Sequence, residues 1–157
     1  MTFQPRSAAP HTPEAFGAML EHVAGQAFAA AGYTLQRNPM HHMRGLFRYH
    51  KPLAEGITAY VEFQMLAYAD GSSRFRVMLM RSAGADARAP GADPARVERS
   101  LSRLIWEDFG VRQYDAPDHW WSFRTPEDLG HAIAEAGRLI FGFGIPWLEG
   151  TLTPDSA

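Results

Sequence analysis

Residues 57–68 read ITAYVEFQMLAY and residues 74–81 read RFRVMLMR. In the first stretch every odd position is apolar: Ile57, Ala59, Val61, Phe63, Met65 and Ala67. The even positions, Thr58, Tyr60, Glu62, Gln64, Leu66 and Tyr68, are mostly polar or amphipathic. Successive side chains of a strand point to opposite faces, so this alternation predicts a strand buried on one side. The second stretch repeats it, with Phe75, Val77 and Leu79 set against Arg74, Arg76, Met78 and Met80. Asp70-Gly71 between them suggests a two-residue hairpin turn, but that turn would put Gln64 beside Val77 and Phe63 beside Met78. A one-residue slip sends a whole apolar set to the wrong face. A three- or five-residue loop using Gly71-Ser72-Ser73 is therefore expected, with Phe63 aligned to Leu79.

Further strands follow on either side. Gly45 to Lys51 alternates, with Leu46, Arg48 and His50 on one face and Phe47, Tyr49 and Lys51 on the other. Tyr33 to Arg37 is a short edge, and His119 to Arg124 reads as the last strand. Three helices are expected. The first starts at Thr12-Pro13-Glu14, a cap followed by proline and an acid in the first turn, and presents Phe16, Leu20, Val23 and Ala27 before stopping at Gly32. The second starts at Asp93-Pro94 with Val97, Leu101 and Leu104 or Ile105 inward. The third has the strongest start signal, Thr125-Pro126-Glu127-Asp128, and turns Leu129, Ile133, Ala136 and Ile140 to the core. Gly142 and Gly144 should break it, leaving Ile145 to Leu148 as an apolar tail laid back on the core. The expected fold is α+β: a single antiparallel sheet of about four or five strands, with two or three helices packed on one face. Residues 13–150 form the domain, with a flexible leader at 1–12 and a flexible tail at 151–157. The low-complexity run AGADARAPGA at 83–92 reads as a loop excursion.

Composition narrows the function classes. A chain of 157 residues has the size of one domain and can bury a core without staples. Cysteine is absent, which removes disulfides, thiolate metal sites and cysteine nucleophiles together. No secretory core and no apolar run near the ~20 residues of a membrane span occurs, so a cytoplasmic location without membrane contact is expected. The formal net charge of −2 argues against nucleic acid as the main partner. Charge is uneven, however: residues 37–81 hold seven basic and three acidic residues, and residues 98–135 hold four Arg and eight acids.

No phosphate loop, dinucleotide fingerprint, nucleophile elbow or HExxH motif is present. His41-His42, His50 and His119 are the histidines to consider for a metal, but His41 and His42 fall in an expected loop after Asn38-Pro39, and scattered surface histidines are the simpler reading. Neither a structural metal nor a cofactor is expected. Glu107-Asp108 and Asp115 with Asp118 read as surface acids, and His131 with Glu135 as a solvated helical pair. Trp120 and Trp121 must face opposite ways, one into the core and the other tucked beneath the Phe109–Pro117 loop or exposed as a contact anchor.

Gly32-Tyr33, Leu46-Phe47-Arg48-Tyr49, Val61-Glu62-Phe63-Gln64, the strand from Arg74 to Leu79, Trp120-Trp121 and Pro146-Trp147-Leu148-Glu149 occur in this order. Over residues 14 to 149 the arrangement resembles the small bacterial domains of unknown function catalogued as family 4304. The resemblance implies a compact α+β bacterial protein and brings no activity or site residue with it. The loop at 83–92 and the lack of cysteine depart from it.

The face of the sheet away from the helices is where function is expected. It carries Arg48, Arg74 and Arg76 with Tyr60 and Tyr68 between them, and Arg48, Tyr60, Gln64, Arg76 and Trp120 are the candidate contact residues. A mixture of aromatic area and directed donors suits contact. The expected function is a non-enzymatic binding or interaction domain for a protein partner or a small anionic ligand, with a homodimer as a further option. The rival is a small enzyme with a histidine–carboxylate site at the sheet edge, using His50, Glu62 or His119.

Overall fold

The computed structural model describes residues 12–83 and 96–154. Most of the expected leader, the 83–92 excursion and the Asp93-Pro94 helix start lie outside these residues. The chain runs α1 (Pro13–Ala30), β1 (Thr34–Leu35), α2 (Pro39–Met43), β2 (Leu46–Pro52), β3 (Thr58–Ala67), β4 (Ser73–Ser82) and β5 (Val97–Ser100). A short helix α3 (Leu101–Arg103) runs into a wide helical turn at Leu104–Asp108, and β6 (Trp121–Phe123), α4 (Pro126–Leu139) and α5 (Ile145–Leu148) complete it. Among the described residues, no helix is long and apolar enough to cross a membrane.

All strand pairs are antiparallel, in the order β1-β2-β3-β4. The outer side of β4 is shared, its Met78–Arg81 half pairing β5 and its Ser73–Phe75 half pairing β6. The fold is therefore α+β on one antiparallel sheet, with its helices on the apolar face. Phe16 of α1 anchors that face, with ring centroids 5.4–6.4 Å from Phe47, Phe63, Phe75 and Phe123. Leu129, Ile133 and Ala136 of α4, and Ile140 beyond it, are buried in the same core as Val61, Phe63, Val77 and Leu79. Val23 is only partly buried and Ala27 is exposed, because the inward stripe of α1 runs through Phe16, Leu20, Ala24 and Phe28 instead.

The β3–β4 register keeps both apolar sets on one face, as the alternation demands, but pairs Phe63 with Val77 and Val61 with Leu79. The loop is Ala69-Asp70-Gly71, closed by the Tyr68 amide donating to the Ser72 carbonyl at 2.9 Å. Gly71 takes φ +88°, which suits the last position of a three-residue hairpin loop. Asp70 accepts from the Ser72 amide at 2.9 Å and hydroxyl at 2.6 Å, which braces the turn, and Ser73 already belongs to the returning strand.

Three other expectations change. His41 and His42 sit on α2, not in a loop, because Asn38 accepts from the His41 amide and Pro39 opens the turn. Val97 to Ser100 is strand, not helix: it satisfies the outer edge of β4, and Ser100 caps the helical turn that follows by accepting from the Arg103 amide at 3.2 Å. Gly142 and Gly144 do not break the last helix. The chain passes through a wide turn at Ile140–Gly144 and continues helically, with Gly144 packed so close to Leu101 and Leu79 that a Cβ would lie 3.2–3.3 Å from their methyls.

Thr125 caps α4, accepting from the Asp128 amide at 3.0 Å, while the Asp128 carboxylate accepts from the Arg124 amide at 3.3 Å. Thr125→Ala is expected to cost about 1 kcal/mol. An unchanged urea midpoint in that variant would rule out a stabilising cap.

Candidate functional site

The registers lay out the second face of the sheet as rows. His50, Tyr60, Met80 and Glu98 lie side by side, followed by Arg48, Glu62, Met78 and Ser100. Next come Leu46, Gln64 and Arg76, then Leu66, Arg74 and Ser122. Continuing the β4–β6 register puts Trp120 opposite Arg76. All five sequence-expected contact residues thus share one face, because all stand at even positions of paired strands.

That face is not uniformly open. Arg48 is 4% exposed, Tyr60 2% and Glu62 0%, whereas Gln64, Arg76 and Trp120 are half-buried. The expectation that Arg48 and Tyr60 project into solvent is corrected. Glu62 draws Arg48 down onto the sheet through Nε and Nη2 donating to Oε2 at 3.1 and 2.9 Å. The Arg48 guanidinium lies 5.5 Å from the Tyr60 ring centroid, and Tyr60 packs with Met80 in a small cluster of its own. A fully buried carboxylate is tolerable only when paired and hydrogen-bonded. Glu62 is both, since Gln64 Nε2 also donates to its Oε1 at 2.7 Å. Arg76 Nε extends the chain by donating to Gln64 Oε1 at 2.8 Å.

Beyond Gln64 the character changes. Arg76 and Arg74 lie over the Trp120 ring at 5.0 and 4.6 Å from its centroid, and Arg74 also lies 5.4 Å from that of Tyr68. Among the described residues neither guanidinium has an acidic partner, and Arg74 Nε is a buried donor without an acceptor. Leu66 and Tyr68 beside them are 44% and 43% exposed. Trp120 is therefore not beneath the 109–117 loop. Trp121 is the core residue, and Tyr114 from that loop meets its ring edge-on at 5.9 Å.

No family model, curated protein or solved structure matches this chain.

Of the residues named for the rival reading, two share a face and the third stands apart. His50 and Glu62 belong to the second face, while His119 lies at the other sheet edge, stacked on Tyr114 at 3.6 Å and edge-on to Trp121 at 4.8 Å. Glu135 does not serve His131: it accepts from Tyr114 Oη at 2.6 Å and Trp121 Nε1 at 2.8 Å, tying the loop to α4. The Tyr114 bond, with that from Trp121, holds the Glu135 carboxyl below its ordinary range against the opposing effect of burial. Burial lowers His119, with Glu135 opposing. Both groups have depressed folded-state values, so both contributions are present at neutral pH and lost as pH falls. Stability should decline from below about pH 6.5 through His119 and further below about pH 4.5 through Glu135. The stability gap between wild type and Glu135→Gln should shrink over the second range; a gap independent of pH would remove Glu135 from this role.

Three of the four acids expected at the surface, Glu107, Asp108 and Asp118, are paired. Arg99 forks onto Asp108, with Nε to Oδ2 at 3.1 Å and Nη2 to Oδ1 at 2.7 Å, and also meets Glu107 at 2.7 Å. Arg103 bridges Glu107 and Asp118. No group of three or more His, Asp or Glu among the described residues is placed to hold a metal. A groove of about 670 Å³ opens between α1, β1 and α2, floored by Phe47 with His42 stacked on it at 4.6 Å. None of the expected contact residues lines it. The sequence reading missed this groove, since it depends on α2.

Proposed function

We propose that the protein is a non-enzymatic interaction domain whose contact surface is the half-open end of the second sheet face: Gln64, Leu66, Tyr68, Arg74, Arg76 and Trp120. The observation that carries this is the pair of guanidiniums held on Trp120 with no acidic partner among the described residues. A buried charge needs a counter-charge, as Arg48 has in Glu62, whereas these two half-buried guanidiniums stay available to an outside acid. Tryptophan and arginine are also the residue types that dominate binding energy in interfaces, and exposed Leu66 and Tyr68 add apolar area. The proposed role of Arg48 and Tyr60 is to support this surface from beneath, not to touch the partner.

Arg76→Ala is expected to change stability by about 1 kcal/mol or less, as a half-exposed polar residue does, whereas Gln64→Ala strips a donor from buried Glu62 and should cost about 1.5–3 kcal/mol. Trp120→Ala combined with Arg76→Ala should remove a complex that the wild-type chain forms in cells while the variant chain remains folded. Identical co-purifying proteins for both chains would exclude this surface.

A further inference from the structure

Resting on that reading, we infer that the partner is a protein presenting an acidic segment, one Asp or Glu carboxylate entering between Arg74 and Arg76 while an apolar neighbour covers Leu66 and Tyr68. The two guanidiniums share one indole, which places them within about 10 Å of each other, a spacing at which like charges still repel at ordinary ionic strength. Contact with Trp120 holds both groups over the indole, and the Arg76–Gln64 bond fixes the rotation of one. An arginine so oriented offers its remaining N–H edge to a carboxylate without further loss of side-chain freedom. Among the described residues the acids of this face are already engaged: Glu98, two rows from Arg76, meets Arg96 at 3.4 Å. Glu62 is fully buried and already accepts from Arg48 and Gln64, and Asp70 at the hairpin tip stands beside Arg124 at 3.7 Å.

Two other occupants fit less well. A two-fold dimer centred on this surface would bring both arginine pairs into one interface with no free acid of the patch to offset them. A nucleic acid would need a bare aromatic face for its bases, but Trp120 is already engaged by two guanidiniums. The acid-rich section at 98–135 would also repel a polyanion.

The test is a titration of the full ¹⁵N-labelled chain, following the Arg74 and Arg76 Nε–H and Trp120 indole N–H signals. The probes are acetyl-Glu-Leu-Glu-Leu-amide, its glutamine counterpart, inorganic phosphate and a short oligouridine. The glutamate peptide should give saturable shifts that weaken with salt, and the glutamine peptide should bind at least about tenfold more weakly. Arg74→Ala and Arg76→Ala should each weaken the glutamate peptide about fivefold or more, with Arg74→Lys and Arg76→Lys intermediate because charge remains while the fork is lost. Folding of each variant is read from the same spectra, and the lysine variants decide the matter if an alanine variant unfolds. Equal binding of both peptides, no saturable shift, or tighter binding of phosphate or oligouridine overturns the acidic-segment assignment. A failed titration alongside loss of the cellular complex in the Trp120→Ala, Arg76→Ala chain would leave the contact surface standing. Peptide binding with the complex intact would instead sink the contact surface.

Discussion

Arg48→Ala is expected to destabilise the fold by about 3–5 kcal/mol, the range for breaking a buried ion pair by removing one partner. Glu62 would remain fully buried with its Oε2 stripped of both Arg48 donors. Gln64 would still donate to Oε1, but a neutral amide does not replace the guanidinium's charge. Tyr60 would also lose the guanidinium over its ring. Arg76→Ala makes the informative contrast. Its residue is half-buried, its one hydrogen bond goes to a neutral amide, and it leaves no carboxylate behind. Urea denaturation of both variants, at constant slope, should separate their midpoints widely. Equal losses would mean that the two arginines do the same job, and the division of this face into a supporting half and a contact half would fall.

That division explains how far the sequence could be read. Alternation in residues 57–68 and 74–81 assigns each side chain to a face, and it placed Arg48, Tyr60, Gln64, Arg76 and Trp120 together. It carries no information on depth. Tyr60 and Trp120 have the same parity, yet one is packed with Met80 and the other sits between arginines. Depth follows from which polar groups find partners across strands, and that requires the register. The register was read two residues out, because Gly71 closes a loop of Ala69-Asp70-Gly71 rather than opening one. Cap signals guided well at Thr12 and Thr125, which each cap a helical start, but reading the start at Asp93-Pro94 and not at Ser100 put Val97 to Ser100 in a helix where they are strand. The clamp of Tyr114 and Trp121 on Glu135 spans an irregular loop, where no periodicity exists to reveal it.

Gly45→Ala is the second large effect expected, at about 2–4 kcal/mol, because two separate penalties meet there. Gly45 adopts φ +79°, where any Cβ is strained, and a Cβ built on it would lie 2.5 Å from the Met65 carbonyl oxygen. The obstacle is backbone, so no rotamer change relieves it. The same pair of residues is joined by the Met65 amide donating to the Gly45 carbonyl at 2.8 Å, which pins the start of β2 to β3. One residue later the ladder begins with Leu46 opposite Gln64, and two residues on Arg48 meets Glu62. Forcing the strands apart at Gly45 therefore disturbs the pairing that holds the buried network and positions Gln64 for Arg76. Gly56 supplies the control, with φ +75° and nothing within 4 Å of a built Cβ. Gly56→Ala should cost only the conformational penalty of about 1–2 kcal/mol. If both variants lose the same stability, the collision with Met65 contributes nothing. If Gly45→Ala loses more and also shifts the Arg76 Nε–H signal, the junction of Gly45 with Met65 is what sets the contact surface in place.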